Sequence, residues 1–306
     1  MPTDIDPLRA EGCLLGLASG NALGQPFEDL WPAEAIYRKS GGRVRFIDPS
    51  EASKPWDDET AQAMVVANLL SKGPWTLHAL GQKLLEWRRE NGRGIKTLVD
   101  RVLDDIDGEV PVEEASEDAF SRLGRNWSAT NQGLVRSIPV ALAHADDPKL
   151  LVSRTATACQ VTHWNPLCVW SATALNLAIA TVLRDEPLHL SALAEQIRAL
   201  GGPESVSDSV RGARAGLATF ELDGKSKAFT LKAMQLGLWA LQVEREPVED
   251  LVERVILAGG DTGANASVVG ACLGARWGRE ALPSAWVDRL RDPRAIAQAA
   301  RDLAFL

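Results

Sequence analysis

Apolar residues recur at the spacing of an α-helix from residue 7 almost to the end of this 306-residue chain, and that pattern constrains its fold most. Pro7–Gly24 carries Leu8, Cys13, Leu14, Leu15, Leu17, Ala18 and Ala22, interleaved with Gly12, Gly16, Gly20 and Gly24. An interior glycine costs a helix about 1 kcal/mol relative to alanine, so this density predicts a helix whose backbone another element approaches closely. Further helices are predicted over Glu59–Ser71, Thr76–Asn91, Ile95–Asp105, Gly133–His144, Pro148–Thr162, Pro166–Arg184 and Leu188–Ala199. Five more follow over Val206–Glu221, Leu231–Val243, Val248–Ala258, Ala264–Trp277 and Ser284–Leu290. Arg43–Asp48, with its Val44/Phe46 alternation, is the one strand candidate, and the acidic, proline-containing Glu109–Asp118 reads as a surface loop. Trp87, Trp170, Trp239 and Trp277 stand in helical contexts and read as core packing. No repeat of fixed period and no low-complexity linker interrupts the pattern, so the expectation is one all-α domain over residues 1–306.

A formal charge of −8 argues against a nucleic-acid groove driven by bulk electrostatics. Cys13, Cys159, Cys168 and Cys272 lack CxxC spacing, which predicts buried free thiols in a reducing compartment. Met1–Pro7 is acidic and lacks the basic start of a signal peptide. No apolar stretch is read as reaching the roughly 18–20 residues of a membrane span. A cytoplasmic protein is expected, with no membrane partner.

Two acidic clusters stand about 200 residues apart, Trp56-Asp57-Asp58-Glu59-Thr60 and Gly259-Gly260-Asp261-Thr262-Gly263-Ala264-Asn265, each just before a helical apolar run. Taken singly, each reads as a solvated helix N-cap. Consecutive carboxylates repel unless something positive sits between them, and hard divalent cations need several oxygen ligands close together. If the clusters meet, Asp57, Asp58, Glu59 and Asp261 give four carboxylates for one or two Mg²⁺ ions. Glu28 follows Gly24 and Pro26 into a loop, where the plain reading is a solvated side chain. In Asn131–Pro139, Asn131 suits a helix cap, Gly133 leaves backbone N–H groups open to a phosphate or ribose, and Arg136 suits a bidentate phosphate clamp. The plain alternative there is an N-cap with a surface arginine. His163 and Trp164 lie in the helix-breaking Thr162–Pro166 loop, with no second His or Cys at zinc spacing. There is no GxSxG elbow for a nucleophilic serine.

Taken in order, these segments resemble the ADP-ribosylglycohydrolase family, the group that includes dinitrogenase-reductase-activating glycohydrolase and the ADP-ribosyl-acceptor hydrolases. The resemblance runs from about Glu11 to about Leu290. Gly12–Glu28 is similar to the family's first helix and following glutamate, and Trp56–Met64 to its Trp-Thr-Asp-Asp-Thr start. Asn131–Pro139 is similar to its Asn-Gly-x-x-Met-Arg-x-x-Pro loop, and Leu231–Leu241 with Gly259–Thr262 to its penultimate helix and second metal motif. The resemblance implies an all-α fold and a Mg²⁺-dependent hydrolase that cleaves the anomeric C1″ bond of an ADP-ribosyl group, removing ADP-ribose from a modified acceptor. On that reading Asp57, Asp58, Glu59 and Asp261 ligate one or two Mg²⁺ ions. Asp58 or Glu59 serves as general base on water, and Glu28 orients the ribose or assists the leaving group. Asn131, Gly133, Arg136, Gly259, Gly260 and Asn265 hold the diphosphate and ribose, flanked by His163 and Trp164.

The departures carry information too. Gly263 and Ala264 stand where relatives have a metal-ligating Asp and Thr, Asp57 stands where they have Thr, and Gln132 and Val135 replace Gly and Met. The expectation drawn from this is that a carboxylate has moved from the second loop to the first; its rival is the loss of one metal position. The acceptor is a protein side chain or, as the only nucleic-acid partner, a modified end. Two alternatives remain: hydrolysis of a small ADP-ribose derivative such as ADP-ribose-1″-phosphate, or ADP-ribose binding without catalysis.

Overall fold

Asp6 accepts a hydrogen bond from the Leu8 backbone N–H at 2.9 Å and Pro7 opens the first turn, so helix α1 spans the predicted Pro7–Gly24. The computed structural model describes residues 5–224 and 227–306, so Met1–Asp4 of the expected leaderless terminus lie outside the described residues. After α1 come α2 (Ala33–Ser40), α3 (Asp58–Lys72), α4 (Leu77–Glu90), α5 (Thr97–Asp107), α6 (Val112–Trp127), α7 (Gln132–Ser137), α8 (Pro139–Ala143) and α9 (Pro148–Gln160). Then follow α10 (Pro166–Leu183), α11 (Leu190–Ala199), α12 (Glu204–Gly212), α13 (Thr230–Ala240), α14 (Val248–Leu257), α15 (Thr262–Trp277), α16 (Ser284–Val287) and α17 (Pro293–Ala304). The fold is all-α.

The glycines of α1 form a ladder against α15. A Cβ on Gly16 would stand 2.1 Å from the Gly270 carbonyl oxygen, and one on Gly20 would stand 2.0 Å from that of Ala266. The two helices therefore run antiparallel at backbone contact, and Gly24 at the end of α1 meets Thr262 at the start of α15. There the Thr262 hydroxyl donates to the Gly24 carbonyl at 2.8 Å. The register of small residues thus delivers Glu28 to Asp261.

Several expectations are corrected. Arg43–Asp48 is irregular backbone, not a strand. Side chains take up some of its peptide groups: the Val44 N–H donates to Glu253 Oε2 at 2.6 Å, and Trp286 Nε1 donates to the Arg45 carbonyl at 2.7 Å. Most of the expected Glu109–Asp118 loop lies in α6. Pro111 is its N-cap and Glu113 and Glu114 fill its first turn, where acids complement the helix dipole. The predicted Gly133–His144 helix divides at Ile138–Pro139, and Val206–Glu221 ends as a helix at Gly212. α2 and α17 were not predicted. Contrary to the membrane reading, Pro166–Leu183 is long and apolar enough to cross a membrane, with a mean hydropathy of 1.6 over 18 residues. That helix is 67% buried and packs against α7, α9, α13 and α15. All four cysteines are buried free thiols, as expected.

Candidate active site

Three helix ends converge at the open end of the α1–α15 ladder. Asp57 is the N-cap of α3, and Asp58 and Glu59 occupy its first turn. Asn21, on the last turn of α1, ties this turn down. Its Nδ2 donates to Glu59 Oε2 at 2.8 Å, and its Oδ1 accepts from the Thr60 hydroxyl at 2.7 Å. Asp261 caps α15, and Glu28 arrives just beyond α1. Asp57, Asp58, Glu59, Glu28 and Asp261 are all at most 9% exposed.

A fourth segment closes the cluster. Gly94 adopts φ +77°, and a Cβ there would stand 2.5 Å from Asp57 Oδ1 and 2.9 Å from Asp58 Oδ1. With its backbone pressed onto the two aspartates, the turn carries Lys96 inward, and Lys96 Nζ lies 2.5 Å from Glu28 Oε2. The sequence reading missed Lys96 and Asn21. Asn21 lies within the Gly12–Glu28 segment but was not singled out there, and for Lys96 only the spacing Gly92-Arg93-Gly94 hints at a tight turn.

Burial dominates the electrostatics. It pushes Glu28 up to about 9, with the charges of Glu59 and Asp261 adding to the effect, and pushes Asp58 up to about 7. Glu59 is raised well above the usual carboxylate range, and Asp57 is raised too, each chiefly by burial. Burial works to lower Lys96, but the charges of Glu59, Asp58, Glu28 and Asp261 outweigh it and hold the ammonium well above its ordinary value.

The donor set fits a divalent cation. Oxygens of Glu28, Asp57 and Glu59 lie within 4.8 Å of one another. Both Asp58 carboxylate oxygens, Glu59 Oε1 and Glu28 Oε1 are buried and find no hydrogen-bond donor. Carboxylate oxygens left bare in this way are what a hard cation satisfies. The room left by Gly263 has a definite occupant: a Cβ at 263 would stand 1.9 Å from Glu28 Oε1. Glu28 thus fills the space where relatives carry the second-loop Asp, so Asp57 need not be its substitute.

A cleft of about 440 Å³ opens onto the cluster, its wall including Glu28, Lys96, Asp261, Thr130, Gln132 and Trp127. Of the ligand-holding residues expected from sequence, Asn131, Gly133, Arg136, His163, Trp164, Gly259, Gly260 and Asn265 lie outside that wall. Arg136 is a correction. Its guanidinium is fully buried and donates to the Ala158 carbonyl at 2.8 Å, Gln62 Oε1 at 2.6 Å and Thr162 Oγ1 at 2.5 Å, which leaves it no path to a phosphate. His163 is buried behind Thr130, whose hydroxyl lies 2.8 Å from His163 Nε2, and burial holds its imidazole well below the usual range and neutral. Gly259 and Gly260 take φ near +80° and turn tightly against Leu222 and Asp223. Asn131 and Asn265 are buried, each with an Nδ2 that finds no partner.

Fold and site together define an all-α protein whose cleft ends on a carboxylate centre suited to a divalent cation. A profile of the ADP-ribosylglycohydrolase family matches residues 2–305. The chain is 27% identical to an uncharacterised protein of Archaeoglobus fulgidus, over 95% of this chain and 94% of that one. It is 21% identical to the ADP-ribosylarginine hydrolase Tri1 of Serratia proteamaculans, over 97% of this chain and 79% of Tri1. To Tri1 of Pseudomonas putida it is 24% identical, over 96% and 77%. A solved structure described as an ADP-ribosylglycohydrolase-related protein complex shares the fold, with a TM-score of 0.72 at 24% identity and 98% of each chain covered. The protein belongs to the ADP-ribosylglycohydrolase family, metal-dependent hydrolases of ADP-ribose linkages.

Proposed function

We propose that this protein removes ADP-ribose from arginine-linked acceptors by Mg²⁺-dependent hydrolysis at the anomeric C1″ bond. The observation that carries this reading is the meeting of cleft and cluster, with Glu28 and Asp261 in the cleft wall and Asp57, Asp58 and Glu59 behind them. The activity named for the two Tri1 relatives supports arginine as the acceptor. Glu28, Asp57 and Glu59 would hold the ion, with Asp58 and Asp261 beside them. A divalent ion bound there supplies charge that polarises the ribose hydroxyls and acidifies water.

The chain's own groups do the rest. Glu28 lines the cleft and, as an ion ligand, would set the ribose against the bond that breaks. Asp58, with both oxygens free of donors, is placed to take a proton from water and return it to the departing guanidino nitrogen. Asn21 and the Gly94 turn fix the aspartates and Glu59, so the geometry exists before substrate arrives. Lys227 Nζ donates to the Glu28 carbonyl at 2.8 Å and brings positive charge to the cleft wall, suited to a diphosphate. Trp127, 78% exposed at the rim, offers a face on which adenine stacks.

The test offers arginine-ADP-ribosylated protein, serine-ADP-ribosylated peptide and ADP-ribose-1″-phosphate in parallel, with and without Mg²⁺. ADP-ribose released from the arginine-linked substrate only with Mg²⁺ is the expected result. Phosphate release alone would point to a hydrolase of small derivatives, and ADP-ribose binding with no release would leave a binding protein.

A further inference from the structure

We propose that the Lys96 ammonium is a built-in cation of the carboxylate cluster, taking one of two positions that divalent ions would otherwise share, so that the protein carries a single exchangeable metal ion. This rests on reading the cluster as a metal centre. Five buried carboxylates of Glu28, Asp57, Asp58, Glu59 and Asp261 are more than one ion needs, and carboxylate-rich centres can share their ligands between two ions. The side of the cluster formed by the second loop offers fewer protein oxygens, however, so a divalent ion there would complete its shell with water. Asp261 is its one carboxylate, because Gly263 and Ala264 carry no donor atoms, and the space at 263 belongs to Glu28.

A divalent ion takes six or more oxygen ligands, whereas an ammonium has three donors to place. Lys96 meets the lesser demand. Its Nζ lies 2.5 Å from Glu28 Oε2, and its charge is balanced by Glu59, Asp58 and Asp261 as well. An ion at about 2.1 Å from Glu28 Oε2 would stand close against the ammonium 2.5 Å from the same oxygen, and the two positive charges repel. Glu28 keeps one oxygen without a donor, Oε1, and carboxylate oxygens of Glu28, Asp57 and Glu59 lie within 4.8 Å of one another, which leaves a set for one ion. The turn at Gly94 supports the arrangement, because its backbone abuts Asp57 and Asp58 and Lys96, two residues on, reaches Glu28.

The full chain is titrated with Mn²⁺, bound ions are counted by electron paramagnetic resonance, and the same is done for Lys96→Met. The wild type is expected to bind one Mn²⁺ with an uncoupled six-line spectrum, and Lys96→Met to bind two. Two ions in the wild type, or a spin-coupled pair, would overturn the proposal whether or not the variant folds. So would a Lys96→Met chain of native circular dichroism that still binds one ion. No bound Mn²⁺ in either protein would overturn the metal-centre reading as well, which separates that failure from failure of the lysine's role alone.

Discussion

Glu28 lies where a side chain at Gly263 would have to be: a Cβ on that glycine would approach Glu28 Oε1 to 1.9 Å. Changing Gly263 to the aspartate usual among relatives is therefore expected to harm the site, because the new side chain expels Glu28 from the cluster. Gly263→Asp and Gly263→Ala should each lower kcat/KM about 100-fold, the scale of a misplaced reacting group. Wild-type turnover by Gly263→Ala would refute the claim that Glu28 needs this space.

The raised carboxyls make stability without metal depend on pH. Burial lifts Asp58 to about 7 and Glu28 to about 9, above their values in an unfolded chain. Folded protein therefore binds more protons than unfolded protein in this range, and stability is lost as pH rises through the folded values. In chelator, Tm should fall between pH 7 and 9. Because a cation competes with those protons, the Tm gained on adding Mg²⁺ should grow across the same interval. Scanning fluorimetry at matched ionic strength measures both, and a Tm in chelator that rises with pH would contradict the assignment.

Arg136 is a core residue in this fold, with its guanidinium donating to Ala158, Gln62 and Thr162. Arg136→Leu leaves those buried acceptors bare and should cost about 2–4 kcal/mol in urea unfolding. The folded fraction should bind ADP-ribose with unchanged affinity. An affinity loss without a stability loss would return Arg136 to the ligand.

Trp127→Ala removes the aromatic face at the cleft rim. Stacking of one base is worth about 1–3 kcal/mol, so KM for an ADP-ribosylated substrate should rise roughly tenfold while kcat holds. Steady-state kinetics decide, and a fall in kcat at constant KM would remove the tryptophan from base binding.

What the sequence showed was what short range determines. The bounds of α1 follow from Asp6, Pro7 and the apolar period, and the acids of α3 and α15 announce themselves as helix starts. What it hid depends on partners far away. Arg136 reads as a phosphate clamp until Gln62 and Thr162 surround it, and Glu28 reads as a solvated loop residue until Gly263 leaves it a place. Lys96 carries no motif, because its role comes from carboxylates supplied by three other segments. α6 was lost for another reason: a proline with acids after it signals a helix start as readily as a loop.

The glycine ladder between α1 and α15 also sets the order in which the chain can become active. During synthesis α1 emerges first, but its apolar, glycine-lined face has no mate until Thr262–Trp277 has been made, some 240 residues later. Contacts of such separation form late, once the entropy of closing the long loop has been overcome. Glu28 and Asp261 are therefore not held together in the nascent protein, and hydrolytic competence waits until the segment that begins at Thr262 docks onto α1.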